Sequence, residues 1–552
     1  MGAASGALRV NAQFDRPRPL PEALIARWEA SGAWSRLTVS EAIRQPSRAE
    51  GLACAVDTQH YSFAMLAHWS AGVSATLQGR GVRRGDRVLI QLPNGAELIT
   101  AILASWHLGA IAVPVLPLLR EQELAAVAQQ TQPTAVIAGP GSSERVPTAE
   151  IDSALAAASV KPLTRLSVGH RTAGWMPFPV RGSVQEQSPP PHPGFANADA
   201  CALILFTSGT TAEPKGVRHD SRSLLAEVNS YRRSAELTAG DVIFNPAPIA
   251  HVGALVISVL VPWCVGAPVV LLSKWDSQRA REAITRERVT FAVGAPYFLN
   301  ELVALYESAD FCGHRLSKFQ TGAAPTGSAL LARADRVGIA GWRAWGMTEA
   351  PSISYAAADD PLDRRANFDG RVEPESQVIA VDEAGVALPA GREGHLLLRS
   401  PKQMMGYVRD VDATRHPGGW LATGDVGMVD CDGWVRITGR IKDIINRGGE
   451  KFSAREIENV LCDHPAIEAA AVLGVPEQRL GEQVVAYVTT RPGQSYPGLS
   501  AIIDYLQRRR MAPQKYPVAI TVLEALPMTA TGKVHKHSLA QLWENSQLTA
   551  GI

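Results

Sequence analysis

The chain has 552 residues, 46% of them hydrophobic and 19% charged. That is enough apolar material for several cores, and it excludes a disordered chain and a single ordinary domain. Lys plus Arg number 54 and Asp plus Glu 53, a net charge of +1 that gives no support to a nucleic-acid or membrane-surface protein. Cysteines stand at 54, 201, 264, 312, 431 and 462 without a CxxC pair or a metal-finger spacing, so reduced thiols in a cytoplasm are expected. The first residues carry no apolar signal region, and Gly6 breaks the myristoylation pattern.

In chain order, Val88–Leu92 is an apolar run, Ala96–Leu108 a helix pattern closed by Gly109, and Ile111–Val113 a second apolar run. This is a βαβ unit and implies a parallel sheet covered by helices. The stretch 182–199 is rich in Pro, Gly and polar residues and reads as an exposed crossover. Ala202–Phe206 is a strand feeding a small-residue loop. Ala254–Leu272 runs 19 residues without a charge, but Pro262, Gly266 and Pro268 mark it as a buried helix, a turn and a buried strand and not a membrane span. Asp276 is a helix N-cap between the strands Ala267–Leu272 and Val289–Gly294. After Gly391, His395–Arg399 and Gly433–Thr438 alternate as antiparallel strands do. A compact α+β pattern follows Arg440: helix Ala454–Cys462, strands Ala469–Val475 and Val484–Thr489, helix Leu499–Arg510.

The strongest local feature is the loop 207–216, Thr207-Ser208-Gly209-Thr210-Thr211-Ala212-Glu213-Pro214-Lys215-Gly216. Backbone N–H groups and hydroxyls in such a loop suit phosphate oxygens, and Lys215 adds charge. It is not a Walker A loop, and the chain has neither a dinucleotide fingerprint nor a G-x-S-x-G nucleophile elbow.

Four later segments follow in order: Trp345-Gly346-Met347-Thr348-Glu349, Thr423-Gly424-Asp425, Gly439-Arg440-Ile441-Lys442-Asp443 leading to Gly448-Gly449-Glu450, and Thr531-Gly532-Lys533. Together with the loop they resemble the adenylate-forming superfamily of acyl-CoA synthetases, carrier-domain adenylation modules and luciferases. The resemblance runs from Val82–Asp86 to Lys533. Gln91–Asn94, Gly346–Ser352 and Asn446–Lys451 with Arg455–Glu458 look most like the alicyclic, medium-chain and aryl carboxylate–CoA ligases, cyclohexanecarboxylate–CoA ligase in particular.

The resemblance implies an α/β, multi-domain α+β protein. A large N-terminal domain, residues 1–439, would hold layered sheets with helices and a β-rich subdomain. A small mobile α+β C-terminal domain, residues 440–552, would turn on a hinge at Lys442. It implies an acid–thiol ligase using ATP, Mg²⁺ and CoA. The loop Thr207, Ser208, Gly209, Thr210, Thr211 and Lys215 would hold phosphates. Glu349 would hold Mg²⁺ and Thr348 would touch the α-phosphate. Asp425 would take the ribose hydroxyls, with Arg440 nearby. Trp345 and Gly346 would lie at the adenine, with Gly322, Ala323 and Ala324 on its other side. Lys533 would stabilise the adenylation transition state, and Gly448 and Gly449 would line the CoA tunnel, the pantetheine arm passing Gly449. His251, Val252, Leu255 and Met347 would form the acyl pocket, with His251 also a candidate for catalysis or gating.

Val252 stands where amino-acid activators place Asp and aryl-acid siderophore activators Asn, which points to an uncharged tail. Ala212 replaces a usual loop glycine, Trp345 a usual Tyr or Phe, and Lys442 a frequent Asp. Partners are a small monocarboxylic acid, ATP and CoA, with neither nucleic acid nor an integral membrane. A separate carrier protein or an amine as acceptor, or a catalytically weak nucleotide- or acyl-binding homologue, stay open at this point, as does monomer against homodimer.

Overall fold

The computed structural model describes residues 14, 20–44, 50–140, 146–182, 194–195, 197–207, 214–308, 314–322, 324, 326–409, 415–491, 493–528 and 534–550. The βαβ unit forms as expected: Arg87–Gln91 and Ile111–Pro114 pair in parallel, joined by the helix Ala96–His107. They lie in an eight-stranded sheet ordered Gly406–Tyr407, Gly216–Asp220, Cys201–Phe206, Ile111–Pro114, Arg87–Gln91, Ala135–Ala138, Thr164–Ser167, Met176–Pro177. The first two pairings are antiparallel and the rest parallel. All five residues of Arg87–Gln91 are buried, which is why its centre, Val88–Ile90, is apolar on both faces.

A second, seven-stranded sheet runs Ala340–Arg343, Lys318–Thr321, Phe291–Gly294, Ile243–Asn245, Val269–Leu271, Leu52–Val56, Gln59–Ser62, parallel up to the final hairpin. Val269–Leu271 and Phe291–Gly294 are therefore not neighbours. Ile243–Asn245, too short to stand out in the sequence, lies between them. Asp276 does cap its helix, accepting the Arg279 N–H. One apolar cluster joins the two sheets, containing Val88 and Ala112 of the first and Val269 and Phe291 of the second.

The charge-free stretch folds inward. Val252–Leu255 and Val261–Val265 are α-helical around a π-helical Val256–Leu260, and a left-handed Gly266 ends the run before the strand Val269–Leu271. Among the described residues no helix is long and apolar enough to cross a membrane.

The β-rich part is antiparallel: Gln377–Val381, Gly394–Arg399, Trp420–Val429 and Arg415–His416 in order, with Val435–Arg440 also on Trp420–Val429. After it comes a last sheet ordered Glu450–Ser453, Ile444–Arg447, Gly481–Thr490, Ile467–Glu477, with Ala519–Val522 parallel to Gly481–Thr490. Helices Ala454–Cys462 and Leu499–Arg508 bury Ile457, Leu461, Ile502 and Leu506 on it, the i, i+4 spacing of an amphipathic face. The two clusters under this sheet draw on residues between Ile445 and Trp543, while the clusters under the earlier sheets stop at Ile437.

Candidate active site

The phosphate-loop candidate is the tip of a hairpin. Strands Cys201–Phe206 and Gly216–Asp220 pair antiparallel, Phe206 opposite Gly216, and the Thr207 N–H donates to the Lys215 carbonyl at 3.1 Å to close the stem. Gln130 clamps it from outside: its Nε2 donates to the Pro214 carbonyl at 2.7 Å and its Oε1 accepts the Gly216 N–H at 3.3 Å. Lys215 lies with its Nζ 5.2 Å from the Tyr407 ring centroid. Ser208, Gly209, Thr210, Thr211 and Ala212 lie outside the described residues.

Two further segments leave neighbouring parallel strands at their carboxyl ends, the usual place for a ligand crevice in an open α/β sheet. Gly322 follows Lys318–Thr321, its N–H bonded to the Gly294 carbonyl at 3.2 Å, and the half-buried Ala324 comes after it. Ala323 lies outside the described residues. Trp345 follows Ala340–Arg343, and the Ala344 N–H donates to the Thr321 carbonyl at 2.8 Å. Then comes a tight turn in which Met347 and Ala350 exchange backbone bonds of 2.9 and 3.0 Å, with Thr348 and Glu349 at its tip. Gly346 is required there, because a Cβ would collide with the Pro351 carbonyl.

Both tip residues are held from behind. His219, fully buried, bonds the Thr348 carbonyl through Nε2 at 2.8 Å; a carbonyl only accepts, so that nitrogen carries the proton. The Tyr407 hydroxyl donates to Glu349 Oε1 at 2.7 Å, and the Met404 N–H donates to the Glu349 carbonyl at 2.7 Å. Behind the turn, Ser352 donates to Glu227 from its backbone and its hydroxyl. Glu227 belongs to a buried charge cluster with Lys402 at 3.7 Å and Glu373, itself 3.5 Å from Lys402. Burial pushes the Glu227 carboxyl up despite Lys402. Burial also pushes Glu373 up, but Lys402, Ser230 and Arg233 outweigh it and hold that carboxyl below the usual range.

Asp425, 3% exposed, has both oxygens engaged: Trp345 Nε1 donates to Oδ2 at 2.8 Å and Arg440 Nε to Oδ1 at 3.0 Å. The pair follows from register, since Asp425 and Arg440 are opposed on adjacent strands. Trp345 is itself 6% exposed and packs among Leu421, Tyr407 and Ala350, so its edge anchors Asp425.

On the acyl side His251 occupies the N-cap position of Val252–Leu255, its carbonyl accepting the Leu255 N–H at 2.7 Å. Val252 and Leu255 join the large inter-sheet cluster, whereas Met347 packs with the Trp345 cluster. The candidate pocket residues are thus held by two separate cores. Asn94 ties down the approach to His251, donating to the Ala247 carbonyl and accepting the Ile249 N–H, each at 2.9 Å.

Lys442 sits in the short 3₁₀ turn Ile441–Asp443. Gly448 and Gly449, at φ +65° and +87°, make the two-residue turn between Ile444–Arg447 and Glu450–Ser453, the conformation that makes glycine the natural choice for such a hairpin. Lys533 lies outside the described residues; Met528 and Val534 on either side of 529–533 form an antiparallel bridge.

Of the residues expected from the motifs, Trp345, Asp425 and Arg440 are joined by hydrogen bonds, while Thr348 and Glu349 are held separately by His219 and Tyr407. Gln130, His219, Tyr407, Glu227 and Lys402 carried no expectation, and Asn94 entered only as part of the Gln91–Asn94 motif. An acidic residue amid the apolar positions of helix Ser221–Ser234 was the one available signal for Glu227.

Comparison with known proteins adds an independent line. The family model described as AMP-binding enzyme matches residues 41–408, and the model of the AMP-binding enzyme C-terminal domain matches residues 456–533. A medium-chain fatty-acid–CoA ligase of Escherichia coli (strain K12) is 30% identical over 522 residues, covering 93% of this chain and 92% of that protein. An indoleacetate–CoA ligase of Aromatoleum aromaticum is 30% identical over 485 residues, covering 87% of this chain and 93% of its own. The solved structure of the amide bond synthetase McbA from Marinactinospora thermotolerans superposes with a TM-score of 0.80 at 28% identity, over 92% of this chain and 99% of that one. The chain belongs to the AMP-binding enzyme family.

Proposed function

We propose that the protein is an ATP-dependent carboxylate–CoA ligase acting on small to medium aliphatic, alicyclic or aromatic monocarboxylic acids. A carboxylate oxygen attacks the α-phosphorus of ATP, the bond to the bridging oxygen breaks, and pyrophosphate leaves an acyl-AMP. The CoA thiol then attacks the acyl carbon, loses its proton, and AMP departs from the mixed anhydride. The observation that carries this reading is the bonded trio Trp345, Asp425 and Arg440 together with the turn of Thr348 and Glu349, which follows Trp345 beyond the carboxyl end of a parallel strand, in a chain of this family. Two ligases that resemble the chain over most of its length act, by their names, on a medium-chain fatty acid and on indoleacetate.

The first step brings a carboxylate against a triphosphate, so charge must be neutralised and the oxygen aligned. Lys215 and the loop 207–216 take the outer phosphates in this reading. Thr348 meets the α-phosphate, and Asp425 takes the ribose hydroxyls. Lys533 donates to the α-phosphate and carboxylate oxygens as charge builds. Mg²⁺ suits Glu349: a buried carboxylate whose Oε1 is fixed by Tyr407 and whose Oε2 takes no bond from any described residue is a hard oxygen donor, and phosphate oxygens supply the others. Bound there, the ion neutralises phosphate charge. Residues 440–552 then turn about Lys442, exchanging Lys533 for the Gly448–Gly449 turn.

Pyrophosphate release is measured with Mg·ATP across a panel of monocarboxylates, each with and without CoA, and acyl-CoA is followed by mass. Multiple turnover that needs CoA, with thioester formed, is expected. Acyl-AMP trapped with no thioester would overturn the acceptor. It would favour an amine or carrier acceptor, a reading to which the likeness to an amide bond synthetase gives weight. Silence across the panel would overturn the activity.

A further inference from the structure

Tyr407 belongs to a two-residue strand that has no chemistry of its own in the reading above. Yet this strand meets both halves of the phosphate site. Gly406 and Tyr407 pair antiparallel with Arg218 and Val217, directly after Lys215 and Gly216. The Val408 N–H donates to the Gly216 carbonyl and the Met405 N–H to the Arg218 carbonyl, each at 2.8 Å. The fully buried Arg218 returns a bond from Nε to the Tyr407 carbonyl at 3.2 Å. On its other side the segment bonds Glu349 twice, through the Met404 N–H and the Tyr407 hydroxyl. The Tyr407 ring carries Lys215 on its face, so one side chain engages the loop cation and the turn carboxylate together.

We infer that Tyr407 is a positioning residue for the adenylation step: its hydroxyl fixes one oxygen of Glu349 and presents the other to the cation, while its ring seats Lys215. A hydrogen bond to an ionised carboxylate is stronger than a neutral one and removes a rotamer choice. A cation over an aromatic face within about 6 Å gains attraction without losing its donors to a carboxylate. Tyr407 therefore engages two opposite charges separately, its hydroxyl on the carboxylate and its ring under the ammonium. The inference rests on the ligase reading, since it needs Glu349 to face the nucleotide-bound cation.

The test uses the full-length enzyme and binding alone. Free Mn²⁺ is followed by its paramagnetic resonance signal during titration in the presence of a non-hydrolysable ATP analogue. Analogue binding in chelator is followed by calorimetry. Tyr407→Phe keeps the ring and loses the hydroxyl, so Mn²⁺·nucleotide binding weakens on the order of tenfold while metal-free binding is unchanged. Tyr407→Leu loses both, and metal-free binding weakens as well. In a Glu349→Gln background, Tyr407→Phe costs nothing further, because the hydroxyl acts through that carboxylate. Mn²⁺·nucleotide binding in Tyr407→Phe equal to wild type, or an equal loss in the Glu349→Gln background, overturns the role of Tyr407 and leaves the ligase reading standing. A wild-type protein that binds neither nucleotide form overturns the ligase reading first.

Discussion

The wall that carries Thr348 and Glu349 and the unit that follows Arg440 are held in opposite ways. Behind the wall lie buried contacts: His219 on the Thr348 carbonyl, Tyr407 on Glu349, and the Glu227–Lys402–Glu373 cluster under Ser352. The later sheet touches the earlier ones through a few polar pairs, from mostly exposed to largely buried. Lys451 meets Glu383 at 2.9 Å with both side chains mostly exposed, Asn300 meets Glu468 at 3.3 Å, and Arg455 meets Asp369 at 3.3 Å. Exposed pairs contribute little and are screened by salt, whereas buried charges are costly to separate. Each side of that boundary also buries its own core. A well-braced wall facing a separately cored unit suits the proposed two-step reaction with an exchange of faces.

The largest expected effect tests whether the second region contributes chemistry to the first. Lys533→Ala lowers acyl-AMP formation by roughly 10²–10³-fold, the loss seen when an oxyanion-type donor is removed. ATP binding should be retained if, as proposed, the wall holds the nucleotide. Isotope exchange between pyrophosphate and ATP measures the first and calorimetry the second. Unchanged exchange would mean that the wall acts alone.

Next in size is an effect confined to the wall. Lys402→Ala leaves Glu227 and Glu373 buried without the ammonium that lies 3.7 and 3.5 Å from them. Removing one partner of a buried ion pair costs about 3–5 kcal/mol. Chemical denaturation should show that loss in the transition of the large unit while the small one keeps its midpoint. Replacing all three charges, Lys402→Met with Glu227→Gln and Glu373→Gln, recovers much of it, since no unpaired charge then remains. The same loss in the triple variant would mean that shape and not charge holds the turn.

The contrast between regions also explains what was legible beforehand. The βαβ unit, the strand into the candidate phosphate loop and the helix Ala454–Cys462 follow from periodicity, because each is long enough to show one. Ile243–Asn245 and Gly406–Tyr407 are too short, and they exist because a neighbouring strand pairs with them. Candidate site residues on a recognisable motif, such as Thr348, Glu349 and Asp425, are readable from their order. The residues that hold them are not. Tyr407 lies 58 positions from Glu349 and His219 lies 129 from Thr348, and no local pattern encodes a contact at that range. Val252 and Met347, both candidates for the acyl pocket, pack into different cores, a separation that motif order does not encode.

The smallest effect separates strain from function in the unit that follows Arg440. Gly449 has φ +87° and a Cβ there would meet open space, so Gly449→Ala carries a backbone penalty of about 1–2 kcal/mol and no clash. Gly481 stands at φ +82° in the same sheet, with a carbonyl 3.5 Å from its would-be Cβ, and is the control for that penalty. If strain alone matters, both variants lose similar stability and thioester formation falls little in either. If the Gly449 turn passes the pantetheine arm after domain rotation, Gly449→Ala slows acyl transfer to CoA selectively and Gly449→Val slows it further, with acyl-AMP formation unchanged. Single-turnover transfer from preformed acyl-AMP reads this directly. Open space around Gly449 in the present arrangement means that a side chain there can interfere only once the unit has moved, so a CoA-specific loss at Gly449 and not at Gly481 would be evidence for the movement itself.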